Sequence, residues 1–245
     1  MTTRVIINGA RGKMGALACD TINQHPEFEL VAQLSREDNL IDAIAHNAPQ
    51  IVIDLTRADS AYANTLAIIN SGAHPVIGTS GLLPEQINYL QRLCSEKQLG
   101  GIIAPNFSIG AVLMMRFASL AARYLNQVEI IETHHQQKFD APSGTAMKTA
   151  EMIAAARACV PDNITSHELM AGARGGLHHG VAIHSLRLPG VVAKQEVIFG
   201  NIGETLSITH NSIDRASFMP GIILCCQKVQ TIQSLYYGLE QFLED

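Results

Sequence analysis

Short apolar runs alternate with helix-length segments over the first part of the chain. Runs with the length and composition of buried strands lie at Arg4–Ile7, Phe28–Leu34, Ile51–Leu55, Pro75–Ile77 and Gly101–Ala104. The segments between them are long enough for one helix each. This alternation predicts an α/β fold with a parallel, doubly wound sheet.

The pattern changes near Asn106. A helix over 109–125 and a strand over 128–131 are predicted first. Further strand-like runs lie at Val181–Leu188, Val191–Phe199 and Glu204–Asn211, and the last two are joined through Gly200-Asn-Ile-Gly203, a good hairpin turn. We expect a smaller α+β domain with a mainly antiparallel sheet. A long terminal helix, about Met219 to Leu243, is expected to return to the first domain.

A glycine-rich turn follows the first apolar run. The segment Asn8-Gly-Ala-Arg-Gly-Lys-Met-Gly15 leads into a helical stretch over 16–22. Glycines at these positions permit the tight turn, the close approach of a pyrophosphate and the close helix packing that dinucleotide binding requires. The Gly-x-x-Gly-x-x-Gly spacing is a variant of the usual fingerprint. A phosphate-binding P-loop is excluded because Met14 stands where that motif needs Ser or Thr.

Small or polar residues also follow several other predicted strands. They are Thr56-Arg57, Gly78-Thr-Ser-Gly81 and Ala104-Pro-Asn-Phe107. Any one of them could be an ordinary turn. Together with the glycine turn at the same sheet edge they favour a ligand site, because such folds bind ligands at the carboxyl ends of their strands.

The densest group of reactive side chains lies in Glu132-Thr-His-His-Gln-Gln-Lys-Phe-Asp-Ala-Pro-Ser-Gly-Thr145. If the chain stays extended here, His134 and Lys138 point to one side and His135 to the other. Each residue alone has an ordinary explanation, such as a surface histidine or a solvated lysine. Their combination in one short stretch predicts a pocket for a small anion.

The same stretch contains a predicted helix start. Ser143 is a good N-cap for a helix that runs through Ile153. Gly144 and Thr145 would lie in its first turn, where backbone N–H groups favour a carboxylate or phosphate.

Composition and charge restrict the class of protein. The 245 residues are 47% hydrophobic and 16% charged, which predicts a folded chain of one large or two ordinary domains. A net charge of −5 without a basic run argues against a nucleic-acid partner. There is no membrane-spanning apolar stretch and no signal-peptide pattern. Five cysteines without a disulfide-framework spacing fit a reducing compartment, so we expect a cytoplasmic enzyme.

No metal requirement is predicted. The pairs His134-His135 and His178-His179 attract attention, but neighbours on a strand face opposite ways, so each pair would offer one ligand at most to an ion. No Cys-x-x-Cys or His-Glu-x-x-His spacing is present. The adjacent Cys225-Cys226 lie in an apolar helical segment and are expected to be packing residues.

The motifs together resemble the 4-hydroxy-tetrahydrodipicolinate reductases, also called dihydrodipicolinate reductases, of bacterial diaminopimelate and lysine biosynthesis. The resemblance spans essentially the whole chain and rests on Gly9-x-x-Gly-x-Met-Gly15, Gly78-Thr-Ser-Gly81, Ala104-Pro-Asn-Phe-Ser108, the Glu132–Thr145 stretch and Asp214-Arg-Ala216. It implies hydride transfer from a reduced nicotinamide to a cyclic, unsaturated dicarboxylate.

The resemblance also implies roles for single residues. His134 matches a proton donor and acceptor, Lys138 a proton donor, and His135 with Gly144 and Thr145 the substrate-binding positions. The implied cofactor contacts are Gly9, Ala10, Arg11, Gly12, Lys13, Met14, Arg36, Gly78, Thr79, Ser80, Ala104, Pro105, Asn106 and Phe107.

The change of pattern near Asn106 and the returning terminal helix predict two domains, and the resemblance implies their roles. Residues 1–106 and 215–245 are expected to form a Rossmann-type dinucleotide-binding domain. Residues 107–214 are expected to bind the substrate and to assemble a homotetramer through their sheets.

The sequence departs from the family pattern in three places. Gln136 and Gln137 stand where more basic residues are frequent, and Arg187-Leu-Pro189 where many members read Arg-Gly-Gly, so that hairpin loop is expected to differ. Ser35 stands where an acidic residue often binds the adenosine ribose of NAD. Because Arg36 is adjacent, we expect NADPH to be preferred and NADH to remain usable, unless Arg36 only stacks on the adenine and serves both.

Two rival classes remain at this stage. Another Rossmann-type oxidoreductase, such as a semialdehyde dehydrogenase, would need a cysteine nucleophile, whereas Cys94 and Cys159 lie in predicted helices. A non-catalytic nucleotide sensor would keep the glycines but would have no reason to hold His134 and Lys138 together.

Overall fold

The computed structural model describes residues 2–79, 81–157 and 167–243. The chain divides into two compact units. The first unit comprises Met1–Ser108 and Phe218–Asp245, and the second unit comprises Ile109–Ser217.

The first unit is built around a six-stranded parallel sheet. Its strands are β1 (Thr3–Asn8), β2 (Phe28–Leu34), β3 (Ile51–Asp54), β4 (His74–Ile77), β5 (Gly101–Ile103) and β11 (Leu235–Tyr237). Its helices are α1 (Lys13–Gln24), α2 (Leu40–Asn47), α3 (Ala61–Asn70), α4 (Pro84–Glu96) and α7 (Met219–Val229). The strand order is β11-β5-β4-β3-β1-β2, and the sequence prediction of a doubly wound parallel sheet is confirmed.

The predicted terminal helix is wrong beyond Val229. After α7 the chain forms β11, which pairs in parallel with β5, and then a short 3-10 turn at Glu240–Phe242. A polar stretch over 230–234 interrupts the apolar period of α7, and the Tyr236-Tyr237 pair after it favours a strand. Leu235 is 1% exposed and completes the core at this edge of the sheet.

The second unit packs helices against a mixed sheet. Its elements are α5 (Ile109–Ala121), β6 (Gln127–His134), α6 (Gly144–Ala156), β7 (Gly176–His178), β8 (Val181–Arg187), β9 (Ala193–Asn201) and β10 (Glu204–Ser212). The order is β10-β9-β6-β8-β7, with every pair antiparallel except β6 and β8. The hairpin turn between β9 and β10 is confirmed, since Asn201 pairs with Glu204.

The connection from β8 to β9 is not the hairpin loop that the sequence suggested. These strands lie on opposite sides of β6, so residues 188–192 cross the carboxyl end of that strand. Leu188 N donates to His134 O at 2.9 Å, which attaches the crossing segment to the end of β6. The crossover therefore helps to position His134.

None of the helices in the described part of the chain combines the length and the hydrophobicity needed to cross a bilayer.

Candidate active site

The glycine turn of the first unit has the close packing that its sequence predicts. Gly9 has φ +90°, and a Cβ there would lie 2.7 Å from Leu55 O. A Cβ on Gly15 would lie 2.1 Å from Gly9 O, so no other residue lets α1 begin this close to the turn. Among the intervening residues Ala10 is buried, whereas Arg11 and Lys13 are exposed.

A buried carboxylate that the sequence analysis overlooked organises three strand ends. Asp54 is fully buried at the end of β3. Its carboxylate accepts hydrogen bonds from Asn8 Nδ2 (3.0 Å), Asn64 Nδ2 (2.7 Å) and Thr79 Oγ1 (2.9 Å). These contacts join the ends of β1, β3 and β4. The sequence contains a sign of this role, because Asp54 is an acidic residue at the end of an otherwise apolar strand.

The loops after β4 and β5 support each other. A Cβ on Gly78 would lie 2.4 Å from Phe107 Cε2, so this glycine admits the buried Phe107 ring. Asn106 Oδ1 accepts from Ser108 N at 2.8 Å. Ala104 is buried and Pro105 is partly buried. Ser80, a predicted cofactor contact, lies outside the described residues.

A cleft of about 1080 Å³ opens at the carboxyl ends of β1, β2 and β3. Four of the predicted cofactor residues line it, namely Gly9, Arg11, Gly12 and Arg36. Arg57 adds a third guanidinium to its wall. Among the described residues, the other predicted contacts do not line this cleft. Its position is where a doubly wound sheet binds a nucleotide.

One premise about cofactor choice is corrected at the end of β2. The residue there is Ser35, yet a carboxylate is present: Asp38 Oδ2 accepts from Ser35 N at 2.7 Å and from Ser35 Oγ at 2.8 Å. The backbone and side-chain hydrogen bonds from Ser35 lower the pKa of Asp38. The carboxylate that is missing at position 35 is therefore supplied by Asp38, three residues farther along the chain.

In the second unit, a buried carboxylate holds the first of the two predicted catalytic groups. Glu132 is fully buried on β6, and its Oε2 lies 2.5 Å from His134 Nδ1. Arg187 of β8 donates to both oxygens of the same carboxylate, each at 3.0 Å. Burial alone would raise the pKa of Glu132, but the hydrogen bonds from His134, Arg187 and Ser185 outweigh it and lower the pKa to about 2.

The ionised Glu132 determines how the His134 ring can act. A carboxylate can only accept a hydrogen bond, so Nδ1 carries the proton and Nε2 is left to exchange one with a ligand. Glu132 belongs to the motif that the sequence showed, but no role was predicted for it. The i, i+2 spacing of Glu132 and His134 on one strand places them on the same face, which was the available signal.

The extended conformation expected through Lys138 is wrong. β6 ends at His134, and a turn follows in which Lys138 N donates to His135 O at 3.1 Å. The side-chain alternation therefore stops before Lys138. Instead, Lys138 Nζ is held by both oxygens of Asp140, each at 2.8 Å. Burial would raise the pKa of Asp140, but its hydrogen bonds and ion pair with Lys138 lower it.

Arg187 also fixes the loop that carries Lys138. Its Nη2 donates to Asp140 O at 2.6 Å, in addition to the bonds with Glu132. A single guanidinium thus links β6, β8 and the loop before α6. From the sequence, Arg187 was of interest only for the loop that follows it.

The predicted helix start is confirmed. Ser143 Oγ accepts from Ala146 N at 3.2 Å, and α6 begins at Gly144. Gly144 and Thr145 therefore lie in the first turn of α6, as expected. A Cβ on Gly144 would meet nothing within 4 Å, so there is open space beside this glycine.

The cysteine and histidine expectations have different outcomes. Cys225 and Cys226 are buried packing residues of α7, as predicted. Burial raises the pKa of the Cys94 thiol to about 12, which argues against a thiolate nucleophile there; Cys159 lies outside the described residues. The premise that a His-His pair offers one ligand at most is wrong for His178-His179. His179 has φ +49° past the end of β7, so strand alternation does not apply.

The parallel sheet, the glycine turn and the cleft at its strand ends define a Rossmann-type nucleotide-binding protein. The chain also forms a second, α+β unit. Two family models match the chain: "Dihydrodipicolinate reductase, N-terminus" over residues 3–107 and "Dihydrodipicolinate reductase, C-terminus" over residues 110–243. The chain belongs to the dihydrodipicolinate reductase family.

Individual relatives agree with this assignment. A 4-hydroxy-tetrahydrodipicolinate reductase of Legionella pneumophila (strain Paris) is 65% identical over 99% of this chain and 100% of its own length. One from Coxiella burnetii is 49% identical over the same shares. A dipicolinate-bound dihydrodipicolinate reductase from Paenisporosarcina sp. TG-14 superposes with a TM-score of 0.86 and 42% identity, covering 99% of this chain and 100% of that one.

Proposed function

We propose that this protein reduces 4-hydroxy-tetrahydrodipicolinate to tetrahydrodipicolinate with NAD(P)H, as a step of bacterial diaminopimelate and lysine biosynthesis. The observation that carries the proposal is the arrangement at the end of β6. There a buried Glu132 orients His134, and a carboxylate-paired Lys138 follows in a loop that ends at the first turn of α6. The full-length relatives at 65% and 49% identity, which carry this activity in their names, support it.

The residues of the first unit fit a dinucleotide. The turn leaves no room for a side chain at Gly9 or Gly15, and such a tight glycine turn suits the close approach of a pyrophosphate. We assign the cofactor to this turn, to Arg36 and to the loops after β4 and β5. When bound, the reduced nicotinamide supplies the hydride.

The second unit supplies the proton and holds the substrate. A conjugated ring that has accepted a hydride must gain a proton from a nearby acid. We assign this donation to Lys138, whose ammonium has an anionic partner in Asp140. His134, protonated on Nδ1 toward Glu132, can give or take a proton at Nε2.

We assign the carboxylates of the substrate to His135 and to the first turn of α6. Gly144 and Thr145 offer backbone N–H groups at a helix start, where an anion is stabilised by the helix dipole. The Paenisporosarcina relative, whose name records bound dipicolinate, supports a pocket for a planar ring with two carboxylates.

Pyridine-2,6-dicarboxylate is therefore expected to inhibit competitively against the substrate, and benzoate, with one carboxylate, far less. Thr145→Val removes a hydroxyl at the helix start and should weaken this inhibition by about tenfold or more, the usual cost of losing a hydrogen bond to a charged group. Thr205→Val, at an exposed position on β10, is the matched control. Equal potency of the two compounds in a steady-state assay would remove the case for a dicarboxylate pocket.

We further propose that NADPH is preferred modestly over NADH. Three guanidinium groups, of Arg11, Arg36 and Arg57, line the cleft and favour the 2′-phosphate. The carboxylate of Asp38 opposes it and keeps the preference small. The double change Ser35→Glu and Arg36→Leu should reverse the preference, with Arg36→Leu alone raising the KM for NADPH about tenfold.

Steady-state kinetics with both cofactors measure this preference. The Arg92→Leu variant, changed on α4 outside the lining of the cleft, is the control and should leave the ratio alone. A wild-type enzyme that favours NADH, or a double variant with an unchanged ratio, would show that Arg36 does not read the 2′-phosphate.

We also infer a cytoplasmic homotetramer. The four cysteines of the described residues are free, which fits a reducing compartment. Exposed apolar side chains lie on strands of the second unit, at Leu177, Leu186 and Leu206, where assembly through the sheets would cover them. Sedimentation velocity, which should give about four times the 26.5 kDa chain mass, tests the assembly.

A further inference from the structure

Three potential metal ligands meet away from the proposed substrate site. Glu151 lies on α6, His178 is the last residue of β7, and His179 follows it. One ligand atom from each lies within 4.8 Å of the others. His178 Nε2 is 3.4 Å from Glu151 Oε1, and the two imidazole centroids are 4.4 Å apart with their planes at 80°.

The backbone, rather than chance rotamers, brings these groups together. β7 ends at His178, and His179 takes the left-handed conformation at φ +49°, which is costly for a residue with a Cβ. Gly180 follows at φ +74°. This turn brings both adjacent imidazoles to one place instead of sending them to opposite faces of the strand.

A second contact fastens the same turn to α6. Arg157, the C-cap residue of the helix, donates from Nη1 to Gly180 O at 3.2 Å. Glu151 lies less than two turns earlier on the helix, over the end of β7. The three ligands are thus carried by two elements that are already attached to each other.

The donor set identifies the class of ion. Two imidazole nitrogens and one carboxylate oxygen suit zinc and its first-row neighbours, whereas calcium and magnesium prefer oxygen alone. The 3.4 Å separation of the His178 and Glu151 atoms is close to the edge of a tetrahedron whose metal–ligand bonds are about 2.0–2.1 Å. We propose that Glu151, His178 and His179 form a surface site for a divalent transition-metal ion such as zinc, with water completing its coordination.

An ion at this site would act as a clip between α6 and the β7–β8 turn. It would bind the folded unit and not the unfolded chain, so the melting temperature would rise as the free metal concentration exceeds the Kd of the site. α6 also carries Gly144 and Thr145 in its first turn. The ion would bind Glu151 in the second half of this helix and so stabilise the position of the helix. The proposal does not depend on the activity assigned above.

The test uses full-length protein without a polyhistidine tag, stripped of metal by chelator and titrated calorimetrically with Zn²⁺. We expect the wild type to bind one equivalent of Zn²⁺ per chain and the His178→Ala/His179→Ala double variant to lose this binding. Glu151→Gln should weaken the same site by at least about tenfold, because even the groups behind a metal ligand are worth 10–100-fold in affinity. The matched controls are His46→Ala and Glu96→Gln, at exposed positions of the first unit. Both variants should still bind one equivalent of Zn²⁺ per chain.

A Co²⁺ titration followed by visible absorption gives an independent readout on the Glu151→Gln variant, whose change is an exposed carboxylate and leaves both histidines in place. A wild-type d–d band that weakens in this variant supports the site. Equal Zn²⁺ stoichiometry in the wild type and the double-histidine variant would overturn the proposal. So would loss of the bound equivalent on changing His134 and His135 instead.

Discussion

Replacing Lys138 by alanine is expected to lower kcat by about 10²- to 10⁴-fold, the usual contribution of a positioned proton donor. Its ammonium is held by both oxygens of Asp140, so the group is placed before substrate arrives. Cofactor affinity should change much less, because the cofactor is assigned to the first unit. His134→Ala should act in the same direction. Steady-state kinetics with separate kcat and KM values measure both effects.

Two further variants separate proton donation from simple charge. Lys138→Arg keeps a cation, but a guanidinium does not release its proton at working pH, so kcat should stay low while the substrate KM recovers relative to alanine. Lys194→Ala, on the neighbouring strand β9 and paired with Glu196 at 3.9 Å, should leave kcat unchanged. Turnover of Lys138→Ala at the wild-type rate would end the proton-donor assignment.

The Glu132→Gln change is expected to destabilise the protein by about 3–5 kcal/mol, because it leaves a largely buried guanidinium without its counter-charge. Arg187 donates to both oxygens of this fully buried carboxylate, and His134 contacts one of them. An amide can accept from only one side and presents donors to the other. Denaturant unfolding of both proteins measures the loss, and kcat should fall with it as His134 loses its orientation.

The matched control is Glu129→Gln on the same strand. Glu129 also pairs with an arginine and a histidine, Arg174 and His184, but its side chain is 36% exposed. Its loss should cost no more than about 1 kcal/mol. If both variants lost a similar free energy of unfolding, burial would not explain the contribution of Glu132 to stability.

The pH dependence follows from the same carboxylate. The pKa of Glu132 is lowered from 4.5 to about 2, so its ionised form adds about 3 kcal/mol of stability above pH 4.5. That contribution is lost as the pH falls from 4.5 through 2. The stability difference between wild type and Glu132→Gln should therefore shrink over this acid range and stay constant above it.

The parallel sheet, the glycine turn and the start of α6 could be predicted from the sequence because each has a local signature. Apolar runs mark the strands of the first unit, and the steric limits at Gly9 and Gly15 are visible as glycines. Ser143 marks the start of α6. These are properties of a few consecutive residues, so no knowledge of distant contacts was needed.

What escaped prediction depends on contacts between distant residues. β11 forms because Leu235 fills the core beside β5, more than 130 positions earlier, and helical periodicity alone could not show this. The bonds from Arg187 to Glu132 span 55 positions. The carboxylate at the end of β2 comes from Asp38 and not from position 35, which directly follows the strand.

Whether this protein is the proposed reductase is decided by oxidation of reduced nicotinamide by the purified protein, followed by absorbance. We expect oxidation only when the freshly formed condensation product of aspartate semialdehyde and pyruvate is supplied, and little with either precursor alone. We also expect the Lys138→Ala protein to bind the cofactor normally yet turn over poorly. Normal cofactor binding by the wild type with no turnover on that product, at any cofactor concentration, would exclude the reductase and leave a nucleotide-sensing protein as the better description.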